Sequence, residues 1–376
     1  MNEHAPVELT IDLQAIAENY RMLTAKVSPA ECGAAVKADA YGLGMERVAP
    51  ALTKAGCRTF FVATLDEGIA LRALLPDLRI FVLNGLQLAD PREFGERRLR
   101  PALCSLREIE QWVERYANDG KRAKDSPVPP PALHFDTGIS RLGIPRDEAQ
   151  RLMADPAWFD GLKPALLMSH LACSDDLASP MNARQLQRFT EVCGRLALPV
   201  NTPRSVAASG GIFLGMPYHL ELVRAGAALY GLAPLNNQSN PMRQVIRLQA
   251  KILQVRRVDD GDSVGYGATR RFDGPARLAT IGVGYADGYM RSLSNRGAVH
   301  VGGAEAPIVG RVSMDLAVID VTGLPEGATQ VGAPVDLLGP QQTADELGAR
   351  AGTIGYEVLT SLGRRYRRIY IDGGAA

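Results

Sequence analysis

The chain has 376 residues, 46% of them hydrophobic, enough to bury a large core and to form two domains or one barrel with an appendage. Its 42 basic and 41 acidic side chains leave a net charge of +1 with no long like-charge run, so a small molecule is the expected partner, not nucleic acid or a membrane surface. No stretch approaches the roughly 20 apolar residues of a membrane span. The opening MNEHAPVELTID lacks the basic and apolar regions of a secretory signal. Five cysteines (Cys32, Cys57, Cys104, Cys173, Cys193), without a CxxC pair, suit reduced thiols better than a disulfide framework or zinc site. The expectation is a cytoplasmic protein with no metal centre.

In chain order, Ile11, Ala15, Ile16, Tyr20 and Leu23 first share one face of a helix over 11–27. Apolar runs at 33–40, 59–63, 79–84, 100–104, 132–136, 165–170, 205–209 and 222–229 read as strands, with helical patterns between most of them. Eight such units count out a parallel (β/α)8 barrel of the α/β class. Thr64 with Glu67, and Ser105 with Glu108, have the spacing of capping boxes that open a helix after a strand. The stretch 121–131, with prolines at 127, 129, 130 and 131, reads as a loop insertion. At NNQSNP, 236–241, the pattern changes. Runs at 245–258, 277–285, 298–300, 307–309, 316–321 and 334–338 follow with close turn signals, then a helix over 343–363 and a last strand at 368–371. The expected organisation is an N-terminal barrel over 8–238 and a mostly β C-terminal domain over 239–376, joined by the first residues, 1–7.

Lys37 interrupts the apolar end of the first predicted strand, in AVKADAYGLG, just before a glycine-rich turn. A buried ammonium loses hydration, its pKa falls, and the neutral amine becomes a Schiff-base former or general base. A lysine snorkelling from a strand end is the plainer alternative. Other polar residues also fall where barrel strands end and loops converge: Asp136-Thr137-Gly138 after strand five, His170 after six, Ser209-Gly210-Gly211 after seven, and Arg224 with Gly226 in strand eight. Ser209-Gly210-Gly211 suits a phosphate, which takes backbone amides and hydroxyls at such a turn, or is an ordinary barrel loop.

AVKADAYGLG resembles the cofactor-attachment motif of alanine racemases. HFDTGISRLGI is similar to that family's DTGMxRLG, VRAGAALYGL to VRPGIALYG, SVGYGAT to its catalytic-tyrosine motif, GVGYADGY to GYADG, GRVSMD to GR-SMD, and GTIGYE to GTINYE. The motifs cover most of the chain in the expected order, and on them it is identified as a member of this fold-type III family. The resemblance implies a barrel that binds pyridoxal 5'-phosphate, with Lys37 holding it as a Schiff base, followed by a β domain. It also implies that Tyr41, Ser209, Gly226 and Tyr356 hold the phosphate, that His170 packs near the ring, and that Arg224 faces the ring nitrogen. Arg141 would meet the cofactor's phenolic oxygen or the substrate carboxylate, the Met314 amide would bind that carboxylate, and Tyr285 would narrow the entrance.

The implied reaction interconverts L-alanine and D-alanine. Racemisation takes a proton from one face of Cα and returns one to the other, so two bases must flank one carbon. By resemblance these are Lys37 and Tyr266, the latter from the other subunit, which implies a homodimer with shared active sites. A phenol, with an ordinary pKa of about 10, needs cationic neighbours or hydrogen bonds to act as a base near neutrality. Arginine cannot accept a proton, so Arg224 would leave the ring nitrogen unprotonated and restrain side reactions such as transamination.

The chain departs from the family pattern in places. Where many members carry a carbamylated lysine, two residues before the DTG aspartate, this chain has His134, which cannot form that carbamate; an anion such as chloride, or the imidazole itself, is expected beside Arg141. Ala208-Ser209 replaces Asn-Ser, Ala225 replaces proline, and Gly355 replaces asparagine. Three rivals stand beside the racemase. A non-catalytic pyridoxal-phosphate barrel would lack the segment supplying Tyr266, Met314 and Tyr356, and a decarboxylase would want an acid where Arg224 lies. A broad-specificity or serine-accepting racemase is the third, since a methylene discriminates by only ~1–3 kcal/mol. Supplying D-alanine for cell-wall peptide and catabolising L-alanine would use the same site.

Overall fold

The structure, a computed structural model, describes residues 4–87, 89–117, 129–159, 162–198 and 201–372. Most of the loop expected at 121–131 lies outside them. The chain divides into two units, residues 16–40 with 44–242, and residues 1–15 with 41–43 and 243–376.

The first unit is the parallel barrel. Its eight strands among the described residues are Glu31–Ala35, Thr59–Val62, Arg79–Val82, Arg100–Leu103, Ala132–His134, Leu166–Met168, Arg204–Ser205 and Leu222–Ala225. They pair in sequence order, and the eighth pairs with the first, Glu31 opposite Leu222 through Ala34 opposite Ala225. A parallel bridge between Ala208 and Arg224 joins the seventh to the eighth and closes the ring. Barrel strands are covered on both faces, so they carry continuous apolar runs: Thr59–Val62 reads TFFV, and both Phe60 and Phe61 are fully buried. The strands are shorter than their apolar runs. The first ends at Ala35, two residues before Lys37, and the eighth ends at Ala225, so Gly226 follows it instead of lying within it.

The second unit is mostly β. Val7–Asp12, expected as the start of the barrel and in part as helix, is a strand here: it lies antiparallel to Ile246–Val258 and parallel to Arg367–Ile371. Its alternation decides this, because Val7, Leu9 and Ile11 are buried while Glu8, Thr10 and Asp12 are half-buried. The helix therefore starts at Leu13, where the Asp12 carboxylate accepts the Ala15 N–H at 2.9 Å. The 13-residue strand Ile246–Val258 serves two further neighbours besides Val7–Asp12. It pairs with Pro334–Leu338 along its first half and with Ala276–Ile281 along its second, with irregularities at Leu248/Gln249 and Ile252/Gln254. The strand expected at 307–309 runs Ala304–Pro307. The helix expected over 343–363 is two helices, Ala344–Ala351 and Gly355–Thr360, because Gly352 takes a left-handed conformation (φ 75°) that ends the first.

Candidate active site

Lys37 is carried on unusual backbone. The Val36 N–H still donates to Phe61 O at 2.9 Å, as a strand residue would, but Ala38, Asp39, Ala40 and Tyr41 all have left-handed φ, 52° to 56°. None is glycine, and each such residue costs roughly 1–2 kcal/mol. This turn is where the expected strand over 33–40 breaks. It is held by bonds from Ala40 N–H to Val36 O (2.9 Å), Gly44 N–H to Asp39 O (2.9 Å), Met45 N–H to Asp39 Oδ1 (2.7 Å) and Ala38 N–H to Glu67 Oε1 (2.7 Å). The Lys37 side chain is half-buried. Its pKa is lowered, first by loss of hydration and then by the Arg141 and Arg224 guanidiniums, with Glu67 opposing them.

Arg224, on the eighth strand, is buried, and burial alone brings its pKa down to about 10. Its Nη1 donates to Ser205 Oγ (2.6 Å) and Ser205 O (2.9 Å), and its Nη2 to Ser169 O (2.6 Å) and His170 Nδ1 (3.2 Å). Arginine has no lone pair to offer, so His170 Nδ1 must be the acceptor and its ring carries the proton on Nε2. The imidazole is neutral: burial holds its pKa well below the usual range, with Arg224 and Arg141 adding to the effect. Among the described residues no ion pair includes Arg224. Ser205 and Ser169, which hold it, were not singled out in the sequence; their places at the ends of strands seven and six are the only signal.

Arg141 is exposed, on a loop shaped by Asp136. One carboxylate oxygen, Oδ1, accepts the N–H groups of Gly138 (2.8 Å), Ile139 (3.1 Å) and Ser140 (3.2 Å). His134, ending strand five, is buried. Its Nδ1 lies 3.8 Å from Cys104 Sγ and its Nε2 has no hydrogen-bond partner among the described residues. Burial, with Arg224 and Arg141 nearby, pushes its pKa down to about 4. Ser209, expected to end strand seven, opens the short helix Ser209–Phe213. Its Oγ accepts the N–H groups of Gly226 (3.0 Å) and Ala228 (3.1 Å). Both lone pairs are then occupied, which leaves its own proton to donate to a further acceptor.

The second unit carries the remaining residues. Tyr266 is 70% exposed between Gly265 and Gly267, whose φ values of 73° and 75° favour glycine; a side chain at either would press on Arg311, of the segment resembling GR-SMD. Tyr285 and Met314 share one substructure. The Tyr285 N–H donates to Ser313 O (3.0 Å) and Ala286 N–H to Met314 O (2.9 Å), and Gly284 leaves no room for a Cβ against the Met314 carbonyl. Arg365 ties the two loops by bonding Asp287 (3.0 Å) and Asp315 (2.7 Å). Tyr41 belongs to this unit, its ring 6.2 Å from that of Tyr356. Neighbouring Gly42 and Leu43 accept bonds from Arg368 (2.8 Å) and Tyr370 (3.0 Å).

The first unit is thus a closed parallel barrel with a half-buried lysine, under the charge of two guanidiniums, just past the end of its first strand, in a chain with a mostly β second unit. The family description "Alanine racemase, N-terminal domain" matches residues 11–234, and "Alanine racemase, C-terminal domain" matches 245–370. The alanine racemase of Methylobacterium nodulans is 48% identical over 98% of this chain and 96% of its own length, and that of Rhodospirillum rubrum 46% over 98% and 96%. Among solved structures, alanine racemase from Bartonella henselae with covalently bound pyridoxal phosphate aligns with a TM-score of 0.92 at 42% identity, covering 97% of this chain and 99% of that one. Biosynthetic alanine racemase from Pseudomonas aeruginosa aligns at 0.88 and 33%, covering 98% and 99%. The chain belongs to the alanine racemase family and is an enzyme of the isomerase class.

Proposed function

We propose that this chain interconverts L-alanine and D-alanine with two bases, Lys37 and Tyr266 of the partner subunit, using pyridoxal 5'-phosphate held covalently by Lys37. The observation that carries the reading is the Lys37 amine itself: half-buried, with its pKa lowered, and faced by Arg224, which has no carboxylate partner among the described residues. The donor set suits a phosphorylated pyridine. Ser209 has a hydroxyl proton to give an anionic oxygen, with Gly226 beside it, and Arg224 presents only N–H groups to a ring nitrogen; the roles of Tyr41 and Tyr356 at the phosphate rest on the family resemblance. When bound, the cofactor supplies an electron sink for the pair left at Cα.

The chain's own groups do the rest. Lys37, released as a neutral amine when the substrate's amino group takes over its covalent link, would remove or return a proton on one face of Cα, and the phenol of Tyr266 would serve the opposite face. Arg141 and the Met314 amide bind the substrate carboxylate, Tyr285 limits substrate size, and His170, neutral, buttresses Arg224. Because Tyr266 is 70% exposed on its own chain, a second copy that covers it fits the two-base scheme, and we propose a homodimer with shared active sites. Among the described residues no helix is long and apolar enough to cross a membrane; with the balanced charge and free cysteines, this supports a cytoplasmic location. We further propose a barrel domain over 8–238 and a β domain over 239–376, adjusted by placing Val7–Asp12 with the latter.

The test is exchange of the Cα proton for deuterium, with loss of optical rotation, from L- and D-alanine. Lys37→Ala is expected to abolish both, and Tyr266→Phe to impair exchange preferentially from one enantiomer. Equal rates in the wild type and both variants would defeat the assignment.

A further inference from the structure

The turn that carries Lys37 is backbone that three alanine and aspartate residues and a tyrosine do not adopt unaided, so something outside it must hold it. The external acceptor for its first N–H is Glu67, in the first turn of the helix Leu65–Leu74 that follows the next barrel strand. Glu67 belongs to a capping box with Thr64, and that role needs only one acceptor for the N–H of Thr64. Its carboxylate does more. Oε2 takes the Thr64 N–H (3.2 Å) and the Ala63 N–H (2.7 Å), while Oε1 reaches back 29 residues to the Ala38 N–H (2.7 Å). One carboxylate thus joins the first residue of the left-handed turn to the start of a helix.

We propose that Glu67 is a positioning residue for Lys37, its carboxylate clamping the left-handed turn on which the amine is carried. The proposal rests on the reading of Lys37 as the reactive amine. It assigns Glu67 no proton transfer and no contact with substrate. Two consequences separate it from a helix cap. Glu67 holds the Ala38 amide, so losing it should loosen residues 37–44 and not only the helix that begins at Leu65. Its negative charge also opposes the two guanidiniums acting on Lys37, so its removal should lower the pH at which the amine becomes reactive.

The experiment compares Glu67→Gln, Glu67→Ala and Thr64→Ala in the full chain. Glutamine has a single carbonyl oxygen, so it cannot serve Ala38 and the box together and carries no charge; it keeps the test alive should the alanine variant fold poorly. Thr64→Ala removes the hydroxyl cap and leaves the carboxylate. Hydrogen exchange of the peptide spanning 37–44, read by mass spectrometry on the pyridoxal-phosphate-loaded enzyme, is expected to quicken about tenfold or more in both Glu67 variants and to stay unchanged in Thr64→Ala. In cofactor-free protein, trace acetic anhydride should label Lys37 with a pH midpoint lower in Glu67→Gln than in the wild type. Turnover of alanine is expected to fall about tenfold or more in kcat with little change in KM. Unchanged exchange over 37–44 and an unchanged labelling midpoint in Glu67→Gln would overturn the proposal, leaving Glu67 a cap. A wild type that protects 37–44 but racemises nothing would refute the catalytic reading and leave the clamp standing.

Discussion

His134 sets an acid limit on this fold. Its imidazole is buried, its Nε2 lacks a partner among the described residues, and its pKa is pushed down to about 4, first by loss of hydration and then by Arg224 and Arg141. In the unfolded chain the same ring titrates at the ordinary value of about 6.5. The folded pKa is therefore depressed: the associated stability is present above pH 6.5 and is lost as pH falls from there toward 4, because the unfolded chain takes up a proton that the folded one refuses. A gap of that size corresponds to roughly 3 kcal/mol, a large fraction of the net stability of a typical domain. His170, also depressed, adds a loss in the same direction. The perturbation is His134→Gln, which keeps a polar group of similar reach and removes one titration. The assay is the urea midpoint and slope of the cofactor-free protein at steps between pH 7.5 and 4.5, so that ligand binding does not enter. The expected result is a steep loss of stability below pH 6.5 in the wild type and a shallower one in His134→Gln, whatever their offset at pH 7.5. Parallel losses in the two proteins would refute the reasoning.

Other outcomes follow from the same packing. Gly42→Ala places a Cβ against the Leu359 carbonyl at a left-handed φ of 82°, so it should destabilise by about 2 kcal/mol or more, read as a lower melting temperature. Arg224→Ala strands the Ser169 and Ser205 carbonyls and His170 Nδ1 while relieving a buried charge; we expect a net loss of about 3 kcal/mol by denaturation. The same variant should raise the pKa of His170 toward the ordinary imidazole value, visible by NMR titration of its ring, since Arg224 is the leading charged group depressing it.

The barrel was legible because its strands are covered on both sides and so carry apolar runs such as TFFV, which stand out against the helical patterns between them. Thr64 and Glu67 were legible as a cap because a capping box is a matter of local spacing, and the box is present. Ser105 and Glu108 were only half legible. Ser105 accepts the Glu108 N–H, but the Glu108 carboxylate goes to Cys104 and Leu86 instead of completing the box. Val7–Asp12 was misread because Ile11 satisfies both a helical face and a strand alternation, and its partners lie more than 230 residues away at Ile246–Val258 and Arg367–Ile371.

Local pattern therefore determined the class of fold and the place of Lys37 at a strand end, since apolar periodicity and short motifs act between near neighbours in the chain. Tertiary structure alone decided the left-handed turn at Ala38–Tyr41, which contains no glycine to announce it, and the second oxygen of Glu67 that meets it. It alone also decided the cage of Ser169, Ser205 and His170 around Arg224. Such features depend on which distant backbone groups are left without partners once the barrel closes, and a buried N–H or carbonyl must be satisfied wherever in the chain its partner lies.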